Sequence, residues 1–538
     1  MNQAAARIAV IGGGWAGLTS ARLLQDQGFS VTIFEASRQA GGRARALEIA
    51  LGGQTYKLDN GQHLIVGAYR CFRAMLEQYG DTCHAAFEAP AFHMLQWTER
   101  SPSHQAIQSK AHVKENMRLR HMKLAQSPAL RSLQESMIKD TGSVAAWRKR
   151  LALNLSKVAW LLGARRIPIR SLFELAHLMQ QAKIGGPSAA MTVAAWLEAL
   201  NLRDKLVKQW LASLCESALN CPPEEGCANR FVTVINEAMA NPHPVSSSWL
   251  QQDCDLGELF VDPLLRGSES PRIKHDASLH SCKRLPLDCR YGARVIGFVS
   301  KPAQSEIAVG GQQWWLRLAG SFEPEGPFEQ VILALDPRSA ARIAHDSLGE
   351  EGLVSATMGR LIESINTLPK PLGILTRWLL LPASRRAMNQ DKRSLPTLLL
   401  GDEGPPAWIF PRHGLRSDNR HPSDKGHQVA GLVISAQTDP QMARLHADSI
   451  QERFAIGSRD HQDIYEHQAA SPSKAGTKWP RFDQFGDLGL WLSGDWVDDC
   501  SGLTLPASLE STLRSAYACA GAIASFGGRK LDIDFSIR

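Results

Sequence analysis

The hydrophobic pattern near the N-terminus predicts a strand, a turn, a helix and a second strand. Arg7–Ile11 is a short apolar run, which is typical of a buried strand. Apolar side chains then recur at helical spacing from Leu18 to Leu24, and a second apolar run, Val31–Phe34, ends at Glu35. Strand, helix and strand in this order indicate an α/β domain with a parallel sheet.

The pattern changes in later parts of the chain. From His93 to Trp249 the apolar positions recur mostly at helical spacing, so this segment is predicted to be mainly helical. The helices that we predict there are Gln134–Asp140, Ala145–Gly163, Ser171–Lys183, Ala189–Leu200 and Asp204–Ser217. One helix and several strands are expected between Asp255 and Leu335, followed by a mixed, proline-rich stretch from Ala344 to Phe485.

Two further apolar strands suggest that the first domain is interrupted. Gln330–Leu335 stops at Asp336-Pro337, since proline cannot continue a hydrogen-bonded ladder, and Leu488–Leu492 precedes a predicted helix, Ser508–Phe526. A chain of 538 residues is too long for one hydrophobic core. We predict an α/β protein in which a discontinuous Rossmann-like domain (1–92, 250–343 and 486–538) is joined to a mixed α+β substrate-binding domain (93–249 and 344–485).

The turn after the first strand has the composition of a dinucleotide-binding loop. Its sequence, Gly12-Gly13-Gly14-Trp15-Ala16-Gly17, is G-x-G-x-x-G between a strand and a helix, and Glu35 follows about 20 residues later. The three motif glycines allow a tight turn, a close approach to pyrophosphate and close helix packing, while the helix N-terminus attracts phosphate. Glu35 is expected to bind both ribose hydroxyls and to repel a 2′-phosphate, which indicates FAD or NAD.

The next segment favours FAD. Gly41-Gly42-Arg43 lies shortly after Glu35-Ala36 and resembles the second motif of the flavin amine oxidase and phytoene desaturase superfamily. That resemblance implies that Arg43 lies beside the FAD pyrophosphate. Near the C-terminus, Gly494-Asp495 and the helix start at Pro506-Ala507-Ser508 resemble the segment that lies over the flavin in the same superfamily. Ser508 is the expected N-cap of the last helix.

A finer resemblance comes from Asp59-Asn60-Gly61-Gln62-His63. This segment is similar to one in the squalene-associated FAD-dependent desaturases, described as hydroxysqualene dehydroxylases of hopanoid-producing bacteria. Leu219–Glu225 and Pro506–Glu510 are also similar, whereas the stretch around His104–Lys139 and the polar region Arg385–Arg420 depart from the family. The residues predicted to contact FAD are Gly12, Gly14, Trp15, Ala16, Gly17, Glu35, Ala36, Gly42, Arg43, Gly61, Gly494, Asp495 and Ala507.

The family resemblance implies reductive removal of an allylic hydroxyl group in squalene and hopanoid synthesis. Reduced FAD would supply the hydride, and a long, apolar, dry pocket would hold the isoprenoid substrate. A group that protonates the leaving hydroxyl is needed, and the candidates are His63, with Asp59 orienting it or turning the loop, and Asp498. Glu216 is a further candidate for the cavity wall, and the electron donor for the flavin is not indicated.

Other functions remain open from the sequence alone. A polyene desaturase shares the FAD motifs and moves hydride in the opposite direction. An amine oxidase needs an aromatic cage, for which the C-terminal segment offers Trp496 without an obvious partner. A non-catalytic flavoprotein that scaffolds isoprenoid enzymes is the third alternative.

Charge and cysteine content bear on location and partners. The net charge is +7, and the segment Trp97–Arg170 holds 15 basic against 4 acidic residues. Its apolar stretch Leu151–Gly163 is either an internal helix of the substrate domain or a helix that lies on an anionic membrane surface. No nucleic-acid module accompanies the basic residues, so no nucleic-acid partner is expected.

The ten cysteines form no Cys-x-x-Cys pair, and the regular spacing of Cys215, Cys221 and Cys227 does not match common zinc sites. We therefore expect free thiols and no metal. We also expect no signal peptide before the strand at Arg7. The expected location is the cytoplasm, where the protein is either soluble or peripheral on the inner face of the plasma membrane.

Overall fold

The structure is a computed structural model. It describes residues 6–61, 64–66, 68–79, 87–88, 92–99, 117–124, 177–178, 180–181, 186–203, 205–240, 249–251, 255–267, 285–302, 312–349, 353–381, 397–400, 405–412, 415–416, 428–454, 456, 460–529 and 531.

The described helices are numbered in chain order: α1 Trp15–Asp26, α2 Arg70–Tyr79, α3 Val193–Ala199, α4 Lys205–Leu219, α5 Ala228–Ala240, α6 Asp262–Arg266, α7 Pro337–Asp346, α8 Leu353–Asn366, α9 Pro440–Arg453 and α10 Leu509–Phe526. A π-helical turn, Gly257–Val261, leads into α6, and a short 3-10 turn covers Gly486–Leu488.

The strands are β1 Arg7–Ile11, β2 Ser30–Glu35, β3 Ala46–Leu51, β4 Gln54–Asp59, β5 Leu64–Ile65, β6 Phe87–Glu88, β7 Phe92–Glu99, β8 Met117–Leu124, β9 Trp249–Gln251, β10 Asp288–Tyr291, β11 Val295–Pro302, β12 Gln312–Leu318, β13 Glu325–Phe328, β14 Gln330–Leu333, β15 Leu372–Leu381, β16 Thr397–Leu400, β17 Ala407–Arg412, β18 Leu415–Arg416, β19 Gln428–Gln437, β20 His461–Ala470 and β21 Leu490–Leu492.

A parallel sheet in the order β10, β2, β1, β14, β21 forms the centre of the first domain, which we call the cofactor sheet. The strand predicted at Arg7–Ile11 is confirmed, and its apolar residues are buried between β2 and β14. Helix α1 packs against the sheet and against α10, because its apolar residues are buried on both sides. Parallel strands place all their carboxyl ends at one edge, and loops from four segments of the chain therefore meet there.

A second sheet, mostly antiparallel, has the order β20, β15, β19, β17, β16, β7, β8, and we call it the substrate sheet. One face packs against α9 through an aliphatic cluster that includes Leu375, Ala407 and Ala443. The other face contacts the β3–β4 hairpin, where Trp378 and Leu380 lie against Tyr56 and Leu58. The hairpin thus connects the substrate sheet to the loop that follows β2.

The prediction of a mainly helical segment from His93 onward is wrong at its start. Strands β7 and β8 lie there, and β7 pairs in parallel with β16, about 300 residues away in the sequence. Partners so distant leave no local signal, so the apolar periodicity was misleading. The predicted helix Asp204–Ser217 is confirmed as α4, and Ala189–Leu200 begins later, as α3, because the Thr192 hydroxyl caps it.

Several predicted features lie outside the described residues. These are the predicted helices Gln134–Asp140 and Ala145–Gly163, the second of which contains the apolar stretch Leu151–Gly163, and most of Ser171–Lys183. Among the described residues, no helix is long and apolar enough to cross a membrane.

Candidate functional site

The glycine turn between β1 and α1 has the shape expected of a phosphate-binding loop. Gly12 has a φ of 105°, and a Cβ there would lie 2.4 Å from the Ala334 carbonyl oxygen. A Cβ at Gly17 would lie 1.9 Å from the Gly12 carbonyl oxygen, so helix and strand approach too closely for any side chain. A Cβ at Gly14, by contrast, would have no heavy atom closer than 3.9 Å. The turn is therefore packed tightly on the protein side and open at Gly14.

The N-terminus of α1 faces this open side. Its first intrahelical bond runs from the Leu18 N–H to the Gly14 carbonyl, so the N–H groups of Trp15, Ala16 and Gly17 lie before the helical ladder. The Trp15 side chain points into the core, where it stacks on Phe260 at 4.3 Å between ring centroids. Any contact of Trp15 with a cofactor is therefore expected from its backbone N–H.

Glu35 ends β2 beside the same turn. Its Oε2 accepts the Gly13 N–H at 2.6 Å and its Oε1 accepts the Ser37 N–H at 2.7 Å. These two bonds fix the carboxylate at the edge of the loop, where it can accept further hydrogen bonds from a ribose. Ala36, the next residue, is exposed.

The loop from Gly41 to Arg45, which we call the cofactor loop, lies against the glycine turn. Gly41 donates its N–H to the Gly13 carbonyl at 2.8 Å, and a Cβ at Gly42 would be 3.1 Å from the Gly14 Cα. Gly41 and Gly42 both have positive φ, at 107° and 60°. Two glycine-rich segments thus lie directly against each other at the carboxyl edge of the cofactor sheet, and we call the open space beside Gly14, along these two segments, the groove.

Arg43 and Asp495 join the two ends of the chain. Arg43 Nη2 lies 2.9 Å from Asp495 Oδ1, and the Asp495 side chain is buried. Burial alone would lower the pKa of Arg43, but the carboxylates of Asp495, Asp336 and Glu466 raise it above its ordinary value. The guanidinium is therefore a stable cation beside the groove.

Hydrogen bonds fix the C-terminal segment that carries Asp495. The Gly494 N–H donates to Ser515 Oγ at 2.9 Å, and the Ala507 N–H donates to Ser473 Oγ at 3.3 Å. The expected N-cap is confirmed, since Ser508 Oγ accepts the Ser511 N–H at 3.2 Å and Ser511 Oγ in turn accepts the Ser508 N–H at 2.9 Å. Gly494, Asp495 and α10 thus form one compact unit.

Of the predicted catalytic residues, the structure describes Asp59 and Asp498, which have different surroundings. His63 lies outside the described residues. Asp59 is fully buried, and its Oδ2 contacts Arg412 Nη1 at 2.6 Å. Asp498 is exposed, and its Oδ1 accepts the Cys500 N–H at 2.9 Å within a local turn. A Cβ at Gly61, two residues after Asp59, would meet no described heavy atom within 4 Å.

Two contributors to the site were not predicted from the sequence. Arg412 of β17 and Glu466 of β20 both reach the Asp59-Asn60 segment from the substrate sheet. Their strands begin more than 340 residues after Asp59, and no motif marks either residue. Only the pairing of the substrate sheet brings them to the cofactor loop.

Glu216 has a property suited to proton transfer. It lies on α4, and burial, together with the nearby Glu224 carboxylate, raises its pKa to about 7. Such a carboxyl group keeps its proton at mildly acidic pH and releases it near neutrality. The neighbouring Cys215 and Cys221 are buried free thiols whose pKa values are raised by burial.

The described residues fit an FAD molecule. Free N–H groups at the start of α1 and the open space at Gly14 suit a pyrophosphate, and Glu35 suits a ribose. Arg43 supplies a positive charge beside the same groove.

Comparisons with known proteins agree with this description. Residues 10–79 match the family model of the NAD(P)-binding Rossmann-like domain. An oxidoreductase from Methanosarcina mazei has a similar structure, with a TM-score of 0.57, 14% identity, and coverage of 95% of this chain and 99% of that one. Cyclohexylamine oxidase from Brevibacterium oxydans gives a TM-score of 0.56 at 14% identity, covering 98% of this chain and all of the other.

A fatty acid isomerase from P. acnes, described as CLA-producing, has a TM-score of 0.53 at 10% identity and covers 96% of this chain and 98% of that one. Identities this low establish the fold and leave the reaction open. The chain is thus a mixed α/β protein with a Rossmann-like dinucleotide-binding domain, and it shares its fold with these enzymes over nearly its whole length.

Proposed function

We propose that this protein is an FAD-dependent oxidoreductase that converts hydroxysqualene to squalene by reductive dehydroxylation. The observation that carries the cofactor assignment is the open space beside Gly14, along the contact of the glycine turn with the cofactor loop, with Glu35 hydrogen-bonded to the turn and the Arg43–Asp495 pair on the loop. The substrate assignment is supported by the resemblance of the Asp59–His63 segment to the hydroxysqualene dehydroxylases.

Each residue of the groove has a distinct task in this proposal. The N-terminus of α1 binds the pyrophosphate, Glu35 binds the adenosine ribose, and Arg43 balances phosphate charge while Asp495 holds it in place. When bound, the flavin supplies the hydride. The positive end of the α10 helix dipole would stabilise the negative charge of a reduced flavin by about 0.3–2 kcal/mol.

An apolar substrate is supported by the composition of the substrate sheet. Trp408 and Phe410 are alternate residues of β17, so they share one face, and their rings stack at 5.9 Å. Arg412 lies on the same face of the strand and forms an ion pair with Asp59, beside the cofactor loop. Aromatic faces stabilise a cation, and loss of water from an allylic alcohol forms one.

The reaction needs one proton and one hydride, which replace the hydroxyl group with hydrogen and release water. His63 remains our first candidate for the proton donor, with Asp498 as an alternative. Glu216 joins them on the strength of its raised pKa. The buried ion pair of Asp59 favours a supporting role for that residue over proton transfer.

An amine oxidase is the second candidate, because cyclohexylamine oxidase shares the fold along the whole chain. A polyene desaturase remains the rival with the same cofactor and a similar substrate. Peripheral membrane contact by the basic segment Trp97–Arg170 is also proposed from its charge, although most of it lies outside the described residues.

One experiment separates these reactions. Purified protein with FAD is incubated with hydroxysqualene and dithionite without oxygen, with a phytoene-like polyene and an electron acceptor, and with cyclohexylamine in air. We expect squalene in the first incubation and no product in the others, with Gly14→Glu inactive because its side chain fills the groove. A desaturated polyene or hydrogen peroxide, without squalene, would overturn the proposal.

A further inference from the structure

The Asp59-Asn60 pair lies between the two halves of the molecule. Asp59 ends β4, opposite Ala46 at the start of β3, and its fully buried carboxylate has two partners. Oδ2 contacts Arg412 Nη1 of the substrate sheet at 2.6 Å, and Oδ1 accepts the Leu256 N–H at 2.7 Å. One carboxylate thus connects β4, β17 and the segment that enters the π-helical turn.

Asn60 makes the corresponding contacts on the cofactor side. Its N–H donates to the Arg45 carbonyl at 2.8 Å, and its Nδ2 donates to the Arg43 carbonyl at 3.2 Å and to Glu466 Oε2 at 3.0 Å. Trp15 Nε1 donates to the carbonyl between them, that of Ala44, at 3.1 Å. Three consecutive carbonyls of the cofactor loop are therefore fixed, two of them by Asn60.

These contacts fix the backbone of the cofactor loop and leave the Arg43 guanidinium directed at Asp495. A loop that must place Gly42 and Arg43 against a ligand loses affinity when its backbone is free to move, because ordering then opposes binding. Asn60 is held in turn by Glu466, and its neighbour Asp59 by Arg412, and both of these partners belong to the substrate sheet.

We infer that Asp59 and Asn60 are positioning residues that tie the cofactor loop to the substrate sheet, so that FAD affinity depends on Arg412 and Glu466. This inference rests on the FAD binding in the proposed function. Asp59 and Asn60 then hold Gly42 and Arg43 in place for the cofactor. Breaking their contacts with the substrate sheet is therefore expected to weaken FAD binding in the other domain.

The same sheet offers a matched control. Arg377 of β15 is buried and forms a two-pronged ion pair with Asp463 of β20, at 2.7 and 2.9 Å. Arg377 also contacts Asp448 of α9, so this pair lies on the sheet face away from the cofactor loop. Asp463→Asn therefore weakens an ion pair of a buried arginine in the same sheet without touching the loop.

The test compares Asp59→Asn, Asn60→Ala and Asp463→Asn with the wild type. For each, the dissociation constant for FAD is measured by titration of flavin-free protein, together with the flavin absorption spectrum and the thermal midpoint without FAD. We expect Asp59→Asn and Asn60→Ala to weaken FAD binding by about 10-fold or more and to alter the spectrum, and Asp463→Asn to lower the thermal midpoint with FAD affinity within about twofold.

Unchanged FAD affinity in Asn60→Ala, or an equal loss in Asp463→Asn, would overturn the inference. Asn60 is only half-buried, so Asn60→Ala decides the question even if Asp59→Asn fails to fold. A folded wild-type protein that binds no FAD would instead overturn the proposed function, which keeps the two failures apart.

Discussion

At the scale of single residues, the three glycines of the N-terminal motif have different surroundings. Gly12 and Gly17 are each confined by backbone atoms, so their lack of a side chain serves the packing of the fold. The side of Gly14 where a Cβ would lie is open, so the packing of the fold does not explain its lack of a side chain. Glycine is therefore needed for the packing of the fold at Gly12 and Gly17, and for a different reason at Gly14.

This difference gives a prediction for Gly14→Ala. The protein should fold with a thermal midpoint close to that of the wild type, because the added methyl group meets no heavy atom within 3.9 Å. FAD affinity should fall by about 10-fold or more, because the methyl group occupies the space for the pyrophosphate. Calorimetric titration and thermal unfolding measure the two effects separately.

Gly359→Ala is the matched control, since Gly359 is a helical glycine of α8 with no atom near its missing Cβ. It should raise the free energy of unfolding by up to about 1 kcal/mol and leave FAD affinity unchanged. Undiminished FAD binding by Gly14→Ala would show that the open space at the turn is not the phosphate site.

At the residue scale, the sequence predicts the positions of Glu35 and the glycines because a strand, a turn and a helix impose fixed spacing on them. The structure confirms these elements, and the contacts of the residues with a cofactor stay a prediction. Asp59 was found as part of a motif, but its partner Arg412 was not, and the partner determines what the carboxylate does. A buried aspartate paired with arginine and an exposed catalytic aspartate look the same in a sequence.

At the scale of secondary-structure elements, α10 is more than a cover for the cofactor sheet. Glu510 in its first turn is buried, and its two carboxylate oxygens accept the Cys71 and Phe72 N–H groups at 2.9 and 3.0 Å. Glu510 thus caps the N-terminus of α2 from another helix, while Arg514 Nε donates to it at 2.9 Å. This contact links the C-terminal helix to the segment that follows the Asp59-Asn60 pair.

We therefore predict that Glu510→Ala lowers the free energy of unfolding by about 2–4 kcal/mol, because it leaves two buried N–H groups and Arg514 without their acceptor. Urea denaturation followed by circular dichroism measures the change. Glu363→Ala, at an exposed position of α8, is the control and should change stability by less than about 0.5 kcal/mol. Equal effects of the two substitutions would contradict the capping role.

The sequence predicts a helix or strand correctly where neighbouring residues alone set its pattern of apolar positions. β1, α4 and the N-cap of α10 follow directly from apolar runs and a serine before a helix. The strands β7 and β8 do not follow from the sequence pattern: β7 pairs with β16 from a distant part of the chain, and β8 joins the sheet only through β7. Sheet formation between remote segments depends on tertiary packing, which local periodicity does not record.

At the scale of the whole molecule, the N-terminal turn and the C-terminal helix meet at one edge of a parallel sheet. The sequence predicted this meeting because both ends carry motifs of the same cofactor site. It did not predict how the substrate sheet attaches, through Arg412 and Glu466, to the loop between them. In the proposed function, that attachment sets the position of the substrate sheet relative to the cofactor loop.

The central claim is that one FAD molecule binds along the glycine turn and the cofactor loop, with its pyrophosphate in the open space beside Gly14. Calorimetric titration of the flavin-free protein with FAD, and separately with FMN, tests it most directly. The account predicts one FAD bound per chain, and FMN binding weaker by about 100-fold or more, because FMN lacks the adenosine that Glu35 would hold. No heat of binding with FAD in a folded sample, or equal affinity for FAD and FMN, would contradict it.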